Sequence, residues 1–355
     1  MPARVHIDVH ATPGEDLAAA LGPLLEAEPD LPYANFAPLA PPKGRPGAAE
    51  RLHRARWLDP ADCIEVLVAR SPGGEPLAAL RLERREFESR HFGLAMARAE
   101  RPLAVRDGAP RLAALRALYT EAFQRLRRAG FAHVALRAST RDRWAPWALQ
   151  ELGAVHVDTQ VSWMCPLTGQ PHDDQLPPGL AHELHDRASV SRLPPSSWKR
   201  LAEWSGRAFD RGPLVFDLTL PADRASTVYE AWTEHVMRGE WADAVLVVRH
   251  QEEIVAFISM LELPDVSAEA GERVCGRGLG ATLPEYRGLF TAIQREMIFR
   301  RPLGAAFMEN ETQVATIGSI NVYAKLGFRF LRSTATFHRR LDGAGAAPAE
   351  TAPCA

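Results

Sequence analysis

Apolar and polar positions along this chain fall into short blocks whose period switches between two and roughly 3.6, the signature of strands interleaved with helices. A strand is predicted over Arg4–Val9 and an Ala/Leu-rich helix from about Glu15 to Glu26, before a proline-rich stretch around Pro38–Pro46. Cys63–Ala69 and Pro76–Glu83 flank Ser71-Pro72-Gly73-Gly74 and read as a hairpin. A helix over Arg111–Arg128, a strand at Ala132–Arg137 and a helix over Trp144–Leu152, stopped by Gly153, follow. After a polar, proline-bearing stretch at 167–180 come helices near Ser196–Arg207 and Ala222–Arg238, then a hairpin of Ala244–Arg249 with Ile254–Leu261. A strand over Val274–Leu283, a helix, a strand at Ala305–Met308 and a helix ending at Lys325-Leu326-Gly327 complete the pattern.

The order hairpin, long helix, strand, short helix, Leu-Gly, strand thus occurs twice. Setting Leu152-Gly153 on Leu326-Gly327 gives an offset of 174 residues, which lays Ala132–Leu136 on Ala306–Asn310. The expected organisation is an extension at 1–50, a first domain at 51–166, a linker at 167–180, a second domain at 181–342 and a disordered tail at 343–355.

Composition narrows the function without naming it. With 46% hydrophobic residues the 355-residue chain can build two cores, and its formal charge of −2 gives no footprint for nucleic acid or an anionic membrane. Cys63, Cys165, Cys275 and Cys354 form no C-x-x-C pair, which suits free thiols in a reducing cytoplasm. His182 and His185 lie three apart with no third ligand nearby, so they read as a solvated pair and no metal site is expected. No apolar run is long enough to span a bilayer, so a soluble cytoplasmic protein is expected.

The chemistry concentrates between Leu283 and Phe328. An apolar strand ends in the turn Pro284-Glu285-Tyr286-Arg287-Gly288 and a helix follows with Ile293, Met297 and Ile298 on one face. Free amides and the positive end of the helix dipole converge in such a turn and suit an anion such as a pyrophosphate, with Arg287 as a charged donor at the rim. This turn, followed by Tyr323-Ala324-Lys325-Leu326-Gly327-Phe328, resembles the acyl-CoA loop and the terminal helix and strand of the GNAT superfamily of N-acetyltransferases. The resemblance implies an α/β fold with a mixed sheet, built as two tandem GNAT-like domains. The first would be degenerate, since Leu149 and Asp142 stand where Tyr323 and Thr316 do and no Arg-Gly turn precedes them. Two positions depart from the family pattern: Phe290 stands where a loop glycine belongs, and Thr316 where an asparagine is usual. Thr316 can still cap its helix.

The resemblance further implies acetyl-CoA, or another acyl-CoA, as co-substrate, held by Leu283, Tyr286, Arg287, Gly288, Leu289, Phe290, Thr291, Thr316 and Asn321. A small-molecule amine would be the acceptor, or an acyl carrier protein the donor in place of acyl-CoA; a non-catalytic scaffold is the reading from a different class. Tyr323 would protonate the departing thiolate, since a phenol and a thiol have comparable basicity. Backbone amides around Ala281–Leu283 would meet the oxyanion. Glu262, Glu309 and Glu311 are the candidate bases. The segment Glu88–Gly93 and the cluster Arg207…Phe209-Asp210 are similar to the dTDP-fucosamine acetyltransferase group, which implies a nucleotide-linked amino sugar bound by Phe209, Tyr229 and Trp232.

Overall fold

The computed structural model describes residues 5–342 apart from 29–30, 37, 39–46, 106–107, 168, 170–175, 211 and 277. Most of the proline-rich stretch, the middle of the linker and the tail from 343 therefore lie outside the described residues. In the first half the strands are β1 (His6–His10), β2 (Cys63–Arg70), β3 (Pro76–Arg84), β4 (Met96–Ala99), β5 (Leu103–Ala104), β6 (His133–Ser139) and β7 (Val155–Pro166). In the second they are β8 (Leu180–Asp186), β9 (Ala244–His250), β10 (Glu253–Glu262), β11 (Val274–Gly276), β12 (Gly280–Thr282), β13 (Phe307–Gln313) and β14 (Arg329–Arg340).

All fourteen belong to one mixed sheet in the order β1-β2-β3-β4-β6-β14-β7-β13-β11-β10-β9-β8, with β5 on β3 and β12 on β10. The two halves exchange their last strands. β7 pairs with β13 from Phe307↔Pro166 to Gln313↔Gln160, and β14 lies between β7 and β6, with Phe337 opposite Leu136. Each half keeps a single parallel pair, β4 with β6 and β11 with β13. The chain passes between halves near 166–180, but the sheet crosses that division without a break.

Helices Ala109–Arg128 and Trp144–Glu151 bury Leu115, Leu118, Leu126 and Leu149 against Leu67, Leu80, Val134 and Phe337 on one face of the first-half strands. Alternation along β6 then turns His133, Ala135 and Arg137 to the opposite face. In the second half, helices Pro195–Ala208 and Leu289–Arg300 bury Leu201, Ile293 and Met297 against Val247, Phe257 and Met308. The N-terminal extension does more than cover the first half. Helix Glu15–Ala27 packs on Val66 and Ala79, but Tyr33 donates to Glu309 at 2.6 Å and Arg51 pairs with Glu269 at 2.7 Å, both in the second half.

Three expectations differ. The helix expected over Ala222–Arg238 is two pieces, Ala222–Ala225 and Val228–Met237. The strand expected over Val274–Leu283 breaks into β11 and β12, because its pairing with β10 slips by one residue, a bulge, between Leu261↔Gly276 and Ile258↔Gly280. The third is the solvated pair expected at His182 and His185: both are part-buried on β8, where a separation of three puts them on opposite faces, near Glu296 and Glu183 respectively. None of the described helices is long and apolar enough to cross a membrane.

Candidate active site

The bulge creates the site. β11 pairs with β13 only as far as Gly276↔Glu309, while β12 stays with β10, so beyond Glu309 the two parallel strands diverge. Ser259 pins the bulge from both sides: its amide donates to the Leu279 carbonyl at 2.7 Å, and its Oγ accepts from the Leu279 amide at 2.8 Å. A methyl at Gly278 would stand 1.7 Å from the Ser259 carbonyl oxygen, so only glycine fits. The Leu283 amide is not free as expected, for it donates to the Val255 carbonyl at 2.9 Å. Ladder alternation gives Ala281 the same orientation and turns the Gly280 and Thr282 amides toward the cleft instead.

A cavity of about 710 Å³ opens from this cleft and is walled by both halves. Among the sequence-predicted residues it gathers Tyr323, Glu311, Phe290, Thr316, Phe209, Tyr229 and Trp232. Tyr323 is 5% exposed, its ring packed against Phe328, Phe290 and Trp163 at centroid distances of 5.1, 6.2 and 6.4 Å. Its hydroxyl makes no hydrogen bond with a described residue, and the side chain lines the cavity. Burial raises its pKa, so the phenol stays protonated through the neutral range. Two polar atoms of the cavity wall are buried without a partner among the described residues, Thr282 Oγ1 and Gln294 Nε2, although Gln294 Oε1 accepts from Asn310 at 3.1 Å. Such orphaned atoms in a cavity wall fit a ligand that carries amide donors and acceptors, as the pantetheine arm of a coenzyme does.

The other predicted residues lie around the cavity rather than in it. Gly288 holds φ 102° at the start of helix Leu289–Arg300, a left-handed turn that favours glycine, and Arg287 is exposed beside it. Leu283 is buried, Leu289 nearly so, and Tyr286 braces the loop by a 2.6 Å bond to His250 Nδ1. Phe290 does not obstruct the turn; its ring packs inward on Tyr323. Thr316 starts the helix Ile317–Lys325 without a side-chain cap, its Oγ1 reaching Gln313 Oε1 at 3.5 Å instead, and Asn321 is exposed on that helix.

The candidate bases separate clearly. Glu262 sits at the outer end of β10, 3.3 Å from Arg273 and away from the cavity. Glu309 is fully buried against Tyr33 and Arg332. Glu311 alone of the three lines the cavity, accepting from Ser162 at 2.9 Å and Arg332 at 3.0 Å.

The first half is more than a scaffold here. Its Arg85, Glu88, Arg98, Arg137 and Gln160, with Thr336 and His338 of the exchanged strand β14, complete the cavity. Asp217, on the arm after helix Pro213–Phe216, accepts from His133 Nε2 and His338 Nδ1, each at 2.8 Å, and so fastens that arm across β6 and β14. The ligand atoms of this buried trio lie within 4.8 Å of one another, close enough to gather round a cation, a grouping that sequence spacing did not mark. Burial would raise the Asp217 pKa, but the two histidine bonds outweigh it and hold the carboxyl below its usual range. The one signal for the strand residues was polar side chains on a single face, His133 and Arg137 four apart in the otherwise apolar β6 and Thr334-x-Thr336-x-His338 in β14.

The first-half counterpart of the cleft is filled. Arg111, in the first turn of helix Ala109–Arg128, donates to the Ala104 and Val105 carbonyls at 3.2 and 2.6 Å and pairs with Asp142 at 2.8 Å. Asp142 also accepts from the Trp144 amide at 2.8 Å, the capping role that Thr316 lacks.

No protein-family model matches the sequence, and neither does any curated protein. Solved structures do match. A GCN5-related N-acetyltransferase from Sphaerobacter thermophilus superposes at TM-score 0.55 and 16% identity, over 94% of this chain and 96% of that one. A tandem GNAT protein from the clavulanic acid biosynthesis pathway gives TM-score 0.50 and 18% identity, over 95% and 99%. A glucosamine N-acetyltransferase region of a fungal multi-domain β-N-acetylglucosaminidase gives 0.51 and 16%, over 96% of this chain but 38% of that one. The split parallel pair, the exchanged strands and these likenesses together establish that the chain has the fold of the GCN5-related N-acetyltransferases in tandem form.

Proposed function

We propose that the chain is an N-acyltransferase that moves an acetyl or other acyl group from acyl-CoA to the amine of a small molecule. The observation that carries this reading is Tyr323, its hydroxyl without a partner among the described residues, lining a cavity where β11 and β13 part. The amine nitrogen attacks the thioester carbonyl, a C–N bond forms and the C–S bond breaks. Tyr323 gives its proton to the leaving sulfur, and Glu311, directly or through water, takes the proton the amine loses. The Gly280 and Thr282 amides are aimed to meet the oxyanion. The turn Arg287-Gly288 and the first-turn amides of helix Leu289–Arg300 would hold the coenzyme phosphates.

For the acceptor, an amino sugar suits the aromatic wall. Phe209 stacks on Tyr229 at 4.6 Å, and Trp232 crosses Tyr229 at 5.4 Å, offering flat apolar faces to a ring. Calorimetry with acetyl-CoA tests the reading: a saturable heat is expected, and no heat at about 1 mM ligand, an affinity weaker than about −4 kcal/mol, refutes acyl-CoA as the donor.

A further inference from the structure

Arg137 on β6 is the anomaly of the cavity wall. Its guanidinium is largely buried and lines the cavity, yet it makes no hydrogen bond or ion pair with any described residue. The arginines around it are all neutralised: Arg85 bonds Glu88 at 3.0 Å, Arg98 bonds Glu83 at 2.5 Å and Glu100 at 2.6 Å, and Arg332 bonds Glu309 and Glu311. Burial, with repulsion from Arg98 and Arg85, pulls its pKa down to about 10, while Glu100 and Glu311 act the other way; it is still charged at neutral pH. A desolvated charge that no described carboxylate reaches with a hydrogen bond, only through space as Glu100 and Glu311 do, is among the costlier features a fold can keep. Nothing in the first-half core requires it, because Val134, Leu136 and Ala138 supply the opposite face of the same strand.

We propose that Arg137 is the counter-ion for an anionic group, carboxylate or phosphate, on the small molecule that occupies this cavity. A planar guanidinium offers two parallel donors, which matches either oxyanion. Resting on the acyl-transfer reading above, the inference defines the acceptor as an amine that also bears an acid group. The amine end lies toward Glu311 and Tyr323, and the acid end on the first-half wall.

Two measurements test it. The first needs no acyl donor: thermal melts in inorganic phosphate, in acetate and in chloride at equal ionic strength. Wild type should melt higher in at least one of the two oxyanions, Arg137→Leu should lose that shift, and in chloride the variant should melt at or above wild type, since a desolvated charge with no hydrogen-bonded partner has gone. A variant that melts lower and keeps the shift makes Arg137 structural and overturns the proposal. Arg137→Lys, which keeps charge and stem, should retain part of the shift even if the leucine variant does not fold; its full loss there counts against an anion site. The second is turnover with acetyl-CoA and a free-thiol readout on matched amines, 6-aminohexanoate against hexylamine and glucosamine 6-phosphate against glucosamine. At least one acidic member should exceed its neutral partner about 10-fold in kcat/KM, and which pair discriminates identifies carboxylate or phosphate. Arg137→Leu should erase the difference without moving KM for acetyl-CoA. Equal use of both members by wild type overturns the proposal. No turnover with any amine, alongside an intact oxyanion shift, refutes the acyl-transfer reading and leaves the anion site standing.

Discussion

Tyr323→Phe should lower kcat by about 10²–10⁴ while leaving coenzyme binding and stability almost unchanged. The substitution removes one hydroxyl and keeps the ring whose neighbours are Phe328, Phe290 and Trp163, so the packing of helix Ile317–Lys325 survives. Because that hydroxyl has no partner among the described residues, no hydrogen bond is broken, and the stability change should stay within about 0.5 kcal/mol. An acid that acts on the departing thiolate works mainly in the transition state, so kcat should fall while KM for the coenzyme moves little. At about 1.36 kcal/mol per decade, the loss corresponds to roughly 3–5 kcal/mol of barrier, far beyond what slight repacking could cause. Burial already holds the phenol above its ordinary pKa, so the wild-type kcat profile should show no alkaline limb from this residue below about pH 10. The assay is steady-state thiol release beside calorimetry of acetyl-CoA binding. Retention of more than about a third of wild-type kcat would refute the acid role and leave Tyr323 as core packing.

Acetyl-CoA should bind with a stoichiometry of one per chain, because Arg111 and Asp142 fill the first-half cleft; two sites by calorimetry would contradict that. Gly278→Ala should cost about 3 kcal/mol or more in chemical denaturation and abolish coenzyme binding, since the new methyl meets the Ser259 carbonyl, whereas wild-type binding would show that the bulge is not needed. Stability should fall on acidification from about pH 6.5 toward 4. Burial lowers the His133 pKa to about 4 and that of His53 to about 3, so the unfolded chain binds protons that the folded chain refuses. The His133 contribution is on the order of 3 kcal/mol. Asp217, whose pKa is depressed, keeps its contribution throughout that window and loses it only at lower pH. Urea melts at a series of pH values read the slope, and a flat profile would contradict the burial argument.

The sequence by itself determined what depends on local chemistry. The hairpins, the helix stopped by Gly153, the turn at Arg287-Gly288 and the helix carrying Tyr323 follow from periodicity and from residues whose conformational preferences act over a few positions. Those signals also showed that the pattern runs twice and that only the second copy keeps the turn and the tyrosine. Tertiary structure decided everything that depends on which strand lies beside which. Pairing between residues far apart in the chain carries no local signal, so the exchange of β7 and β14 could not be read from hydrophobic pattern. That exchange carries the consequences for function. It joins the halves into one sheet, and it sets Thr336 and His338 beside Ala135 and Arg137 on a polar face that the arm of Asp217 then covers. Glu262 and Glu311 look alike in the sequence, each an acid near a strand end. Only the divergence of β11–β12 from β13 separates them, leaving Glu311 in the cavity and Glu262 at its ion pair with Arg273.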